Sequence, residues 1–154
     1  IDAVTNVVGC TLDLYGPCED LNIIRHINAN NRVRYHGELD RQDVFKVLSV
    51  GGVFVLPSYH PGEGYSGALV EAAFAGLPLV ISSWNAFPEM FDESEVFFVE
   101  PKSVVSLKNC LESICSNPSI LNYYSLKSYR ASSRFDMEYV TQQFRDDHLS
   151  CAGY

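Results

Sequence analysis

The chain has 154 residues, 47% hydrophobic and 19% charged, with a formal net charge of −8. That length suits one ordinary domain, and that balance supplies a core and excludes global disorder. The acidic surplus excludes duplex nucleic acid as a partner, because phosphate contacts need clustered Lys and Arg, and no apolar run approaches the ~20 residues of a bilayer span.

The start, Ile1–Val8 (IDAVTNVV), reads as a helix entered part-way. The strand expected before it is absent, so the chain is expected to be a piece of a longer one. The basic start and cleavage pattern of a signal peptide are missing there. Thr11–Gly16 (TLDLYG) is a short strand ending in a Gly-Pro turn. Leu21, Ile24 and Ile27 then recur at helical spacing, and Asn30-Asn31 stop that helix. Arg32–Gly37 (RVRYHG) is a second strand. Asp40 caps a short helix with Val44, Val47 and Leu48 on one face. Gly52–Ser58 (GVFVLPS) is a continuous apolar run of strand length, which suits a parallel sheet covered on both faces. A glycine-rich loop leads into a helix capped by Ser66, with good helix formers to Ala75 and Gly76 as its stop. Leu77–Ser83 (LPLVISS) is another buried strand, AFPEMF a turn with a short helical piece, and Glu95–Glu100 (EVFFVE) the last strand. Helices are expected at Val104–Ser116, Ser119–Ala131 and Met137–Leu149. Strands alternating with helices through short connections predict an α/β fold: a Rossmann-like doubly wound parallel sheet with helices on both faces and a helical C-terminal end, in a single domain over residues 1–154.

The cysteines are odd in number: Cys10, Cys18, Cys110, Cys115 and Cys151. No C-x-x-C occurs, and Cys110 and Cys115 fall on one expected helix. Reduced, buried thiols in a cytosolic setting are expected. His26, His36, His60 and His148 show no ligand spacing, so no metal site is read.

In an open parallel sheet, ligands bind at the carboxyl ends of the strands. There lie Gly16, the His36-Gly37 pair, the loop from Ser58 to Ser66, and the loop from Ser82 to Pro88. Gly62, Gly64 and Gly67 let a ligand approach the backbone. The first N–H groups of the helix, at Ser66, Gly67 and Ala68, make an anion site suited to a pyrophosphate. Glu63 in the loop and Glu71 in the helix are acceptors that match vicinal diols. Two such carboxylates flanking a diphosphate fit the two sugars of a nucleotide-sugar. A solvated helix behind an ordinary turn fits the spacing equally well.

From Val53 to Phe91, the residues VFVLPSYHPGEGYSGALVEAAFAGLPLVISSWNAFPEMF resemble the C-terminal domain signature of the retaining glycosyltransferases of family 4, which have the GT-B fold. That signature places Glu, seven residues and Glu between LPS and EA-A-G-P-V, matched by Glu63 and Glu71. LYGPCED, RVRYHGEL, RQDVFKVLSVGGVFVLPS and RFDMEYVTQQF resemble the flanking family segments in order. The resemblance implies the donor-binding half of an enzyme that transfers a sugar from a nucleotide-sugar with retention, without metal or other cofactor. It implies that Glu63 binds donor-sugar hydroxyls and Glu71 the ribose hydroxyls. It places the backbone of Gly64, Tyr65, Ser66 and Gly67 on the sugar and diphosphate, the His36-Gly37 region near the base, and Gly16 and Ser58 in the matching strand ends.

On this resemblance an acceptor-binding N-terminal domain and the family's basic diphosphate ligands lie upstream of residue 1. The expected partners are then a nucleotide-sugar and a saccharide or lipid-linked acceptor, and no nucleic acid. The expected role is bacterial surface polysaccharide (O-antigen, capsule or lipopolysaccharide) synthesis, cytoplasmic or at the inner face of the cell membrane. The isolated piece is expected to be inactive. Two alternatives stand beside this: half of a nucleotide-sugar epimerase of the same architecture, and a non-catalytic α/β binding module.

Overall fold

The computed structural model describes residues 1–142. Cys151, His148 and most of the last expected helix lie outside the described residues; that helix begins at 137. The strands are β1 (Leu12–Leu14), β2 (Val33–Tyr35), β3 (Phe54–Leu56), β4 (Leu79–Ser82) and β5 (Phe97–Val99), and every pairing is parallel. Helix α1 (Asp2–Thr5) precedes β1; α2 (Leu21–Asn28), α3 (Arg41–Leu48), α4 (Gly67–Phe74) and α5 (Phe87–Met90) connect the strands. Helices α6 (Val104–Ser116) and α7 (Ile120–Ser132) follow, and a 3-10 turn (Ser133–Phe135) leads to the helix that begins at 137.

Local chemistry sets these boundaries. The Asp20 carboxylate accepts from the Asn22 and Ile23 N–H groups and so caps α2. Ser103 does the same for α6 through the Ser106 N–H at 3.1 Å. Asp40 occupies the N-cap position of α3, as expected, but its side chain makes no capping bond; its carbonyl takes the Asp43 N–H at 2.8 Å instead. Gly76 ends α4 at φ +71°, a conformation that disfavours any side chain. The Arg32 guanidinium donates to the carbonyls of Thr5 and Val7, which the short α1 leaves without helical partners.

Among the described residues the five strands do not form one continuous sheet. β1 pairs with β2, β3–β4–β5 form a second sheet, and β1 and β3 are not hydrogen-bonded neighbours. The groups still share a layer: Leu12 of β1 and Val55 of β3 both pack on Ala3, Val4, Val7 and Leu111 of the α1/α6 side. Alternation then divides the second sheet cleanly. Val55, Val80 and Val99 face α6 and Ile114. Phe54, Leu56, Leu79, Ile81 and Phe98 face the larger cluster of Leu69, Ala72, Phe87, Phe91 and Ala131, from α4, α5, the chain just after it and α7. β4, central and buried at all four residues, is covered on both faces.

Candidate functional site

All five strands deliver their carboxyl ends to loops. At β1 and β2 the ends are locked together. Gly16, at φ +118°, donates its N–H to the Gly37 carbonyl at 2.8 Å, and the Tyr35 hydroxyl donates to the Gly16 carbonyl at 2.8 Å. The His36 ring lies in a local cluster rather than in an open cleft. Its Nε2 is 2.7 Å from Asp13 Oδ1, and it stacks on Tyr15 with ring centroids 4.6 Å apart.

The loop after β3 is the most densely wired part of the edge. The buried Ser82 hydroxyl, at the end of β4, donates to the Ser58 carbonyl at the end of β3. The Ser58 hydroxyl in turn donates to Glu63 Oε2 at 2.7 Å. A turn closes from the Glu63 N–H to the His60 carbonyl at 3.0 Å, and Gly62 N–H donates to His60 Nδ1 at 3.1 Å. His60 therefore shapes the loop. Trp84 donates its indole N–H to the same His60 carbonyl at 3.0 Å. Asn85 reaches across with its amide to the carbonyls of His60, Pro61 and Glu63 at 3.4, 3.2 and 2.9 Å.

Helix α4 starts at Gly67 with Ser66 as N-cap in extended conformation and without a side-chain capping bond. Its first N–H groups have no acceptor within the helix and aim toward the sheet's carboxyl edge. A Cβ built at Gly64 or Gly67 would meet nothing within 4 Å, and neither glycine has a positive φ. Packing and backbone conformation therefore do not require glycine at either position. Glu71 stands four residues beyond Gly67, on the same helical face, with its side chain tilted toward the N-terminus. Tyr65 meets Phe135 edge-on, centroids 5.5 Å apart, and Phe135 also touches Phe91. Partial burial raises the Tyr65 phenol above its ordinary value.

The structure thus joins Ser58 and Glu63 directly, sets Gly64 to Gly67 beside them, and puts Glu71 on the helix that follows. Gly16, His36 and Gly37 belong to the other sheet, and among the described residues no hydrogen bond links the two groups. Sequence reasoning passed over the roles of Ser82 and Asn85. It also missed Lys102, at φ +61°, whose ammonium sits 5.1 Å from the centroid of the Tyr59 ring. Gly62, Gly64 and Gly67 have G-x-G-x-x-G spacing. The ten residues from Pro57 to Ser66 between β3 and α4 rule out the tight strand-to-helix turn that this fingerprint serves. Among the described residues no three His, Cys, Asp or Glu side chains gather as a metal set.

A parallel α/β domain with an anion-ready helix start and two flanking carboxylates is the kind that binds nucleotides at its sheet edge. The family described as glycosyl transferases group 1 matches residues 1–117, and the chain belongs to it. Over 106 residues it is 28% identical to 2-deoxystreptamine N-acetyl-D-glucosaminyltransferase of Niallia circulans, covering 68% of this chain and 27% of that one. Over 83 residues it is 39% identical to a component of human phosphatidylinositol N-acetylglucosaminyltransferase, covering 54% of this chain and 16% of that one. The chain therefore spans about a quarter or less of these relatives. Among solved structures, Anabaena HepE in complex with UDP superposes with a TM-score of 0.81 at 20% identity, over 97% of this chain and 43% of that one. Sucrose-phosphate synthase from Thermosynechococcus elongatus gives 0.78 at 18% identity, over 97% and 40%. At these identities the likeness shows the α/β fold, and this chain spans less than half of either structure.

Proposed function

We propose that this chain is the donor-binding domain of a retaining glycosyltransferase that takes its sugar from a nucleotide-sugar. One observation carries the reading. Gly64 and Gly67 are bare where nothing among the described residues demands glycine, and they lie between Glu63 and Glu71, in the loop before α4 and at its first residue. A ligand that approaches the backbone there explains both glycines. The N–H groups of the first turn of α4 suit its diphosphate. Glu71 accepts from the ribose hydroxyls, and Glu63, held by Ser58, accepts from hydroxyls of the donor sugar. The base lies toward the His36-Gly37 region. Neither glutamate acts as nucleophile in this reading. The leaving phosphate deprotonates the acceptor on the same face of the sugar, and protein groups rather than a metal balance the developing charge.

The complete site needs more polypeptide. Among the described residues β1 pairs with β2 alone and β3 with β4 alone; this supports a further strand between them, whose loop would bring basic residues to the diphosphate. An acceptor domain ahead of that strand would close the cleft, and the chain alone would be inactive. Lipid-linked acceptors at a membrane face fit the family. The human relative is named for phosphatidylinositol, and WaaG, a structural neighbour, for lipopolysaccharide biosynthesis. The surface-polysaccharide role rests on the latter kind of likeness.

The test is hydrolysis of a panel of UDP- and GDP-sugars by the longer polypeptide, beside its Glu71→Ala variant. One donor should be consumed by wild type at least tenfold faster than by the variant. Equal turnover of every donor would overturn the proposal.

A further inference from the structure

We infer that Asn85 is a positioning residue for Glu63: its side-chain amide holds the donor loop in the shape that presents the carboxylate. The inference rests on the reading of Glu63 as a donor-sugar ligand. Three observations converge. Asn85 adopts φ +46°, in the left-handed region that most side chains avoid, and Asn is among the few that tolerate it. That conformation directs its amide back across the loop, where Nδ2 reaches carbonyls at 60, 61 and 63, the shortest bond being 2.9 Å to Glu63 itself. Glu63 is thereby fixed from two neighbouring strands. Its main chain is tied to the end of β4 through Asn85, and its carboxylate to the end of β3 through Ser58. The buried Ser82 hydroxyl ties those two strand ends to each other.

The Asn85 side chain bonds main-chain carbonyls of the loop, that of Glu63 included, and not the Glu63 carboxylate, so its effect on the donor must pass through the loop. Asn85 is exposed, and its three bonds lie at the surface. Global stability should therefore change little when they are lost, while the loop loosens. That separation gives the test its discrimination.

Asn85→Asp keeps the shape and the tolerance of positive φ but replaces the donor with an acceptor facing three carbonyls. Asn85→Gly keeps the backbone conformation and removes the amide. Hydrogen exchange of the amides at 59–66 is measured in wild type and both variants. A threefold or greater acceleration confined to this segment is expected, larger for Asp than for Gly. Unchanged exchange in both variants would overturn the positioning role. Isothermal titration of the same chains with UDP, UDP-glucose, GDP and GDP-mannose gives the affinity gained from the sugar, as the ratio of each sugar nucleotide to its parent. Both variants should lose at least fivefold of that gain and leave the parent nucleotide's affinity within twofold. Equal losses for the nucleotide and its sugar would overturn the link to Glu63. A wild-type chain with no sugar gain for either pair would instead refute the donor reading of Glu63, while the exchange result still decides whether Asn85 holds the loop.

Discussion

Gly67→Ala separates a glycine kept for folding from one kept for a ligand. Gly67 is the first residue of α4, without a positive φ, and a Cβ there meets nothing within 4 Å. Replacing glycine by alanine inside a helix is worth roughly 0.5–1 kcal/mol, with the low end apt at a first turn. For a chain of this size each kcal/mol moves the melting temperature by about 2–4 °C. The substitution should therefore leave Tm unchanged or raise it by about 1–2 °C. Binding should move the opposite way. A ligand group packed on the bare Cα of Gly67 at the ordinary carbon contact distance of about 3.5–4.0 Å fills the space that the added methyl would take. Nucleotide affinity should fall at least tenfold. Differential scanning calorimetry and titration on the same preparation read both quantities. A loss of several degrees would mean that the fold itself requires the glycine. Unchanged affinity would mean that no ligand approaches there. Either result refutes the reasoning.

Other substitutions and modifications have equally definite outcomes. Ser82→Ala removes the donor to the Ser58 carbonyl and should cost about 1–2 kcal/mol, seen as a lower urea midpoint with unchanged m; a midpoint equal to wild type would show that the contact contributes nothing. Burial pushes the Cys110 thiol up to about 11. Iodoacetamide at pH 8 should therefore spare Cys110 in the folded chain and reach it in urea, as read by peptide mass spectrometry. The folded thiol holds its proton beyond the point where the unfolded one releases it, so this group's contribution to stability is intact below pH 9 and lost as pH rises from about 9 to 11. The Cys10 and Cys115 sulfurs lie 2.9 Å apart, under 1 Å beyond a covalent S–S length of about 2.05 Å. An oxidised dithiol reagent, itself reduced to the dithiol, should take two hydrogens from this pair and lower the chain mass by about 2 Da; Cys115→Ser abolishes the loss.

Much of the fold was legible because period and punctuation agree. The apolar runs around Val55 and Val80 announced strands covered on both faces, and α6 begins and ends where its pattern does, at Val104 and Ser116. Strand ends were less legible: each is trimmed to three or four residues, since parallel pairing stops where loop wiring begins. The split between β1 and β3 was expected only as an absent strand; pairing across distant segments leaves no mark in either one. The thiols show the limit of composition. Cys10, Cys18 and Cys110 are only partly buried and Cys115 is exposed, where buried thiols were expected; on α6, Cys110 packs against the cluster around Ile114. In the site, the Glu63 and Glu71 spacing and the Ser66 cap were readable from local pattern. The roles of Ser82 and Asn85 were not, because each acts on a loop more than twenty residues away, and only the parallel register of β3 and β4 brings them together.

The most direct measurement follows the backbone amides of 62–69 by NMR while the chain is titrated with UDP-glucose and GDP-mannose, for wild type and Glu71→Ala. At least one donor should shift the Gly64, Gly67 and Ala68 amides of wild type in a saturable way, with an affinity at least tenfold weaker in the variant. Amides that stay still for both donors, or that titrate identically in both chains, would contradict a donor site at the start of α4.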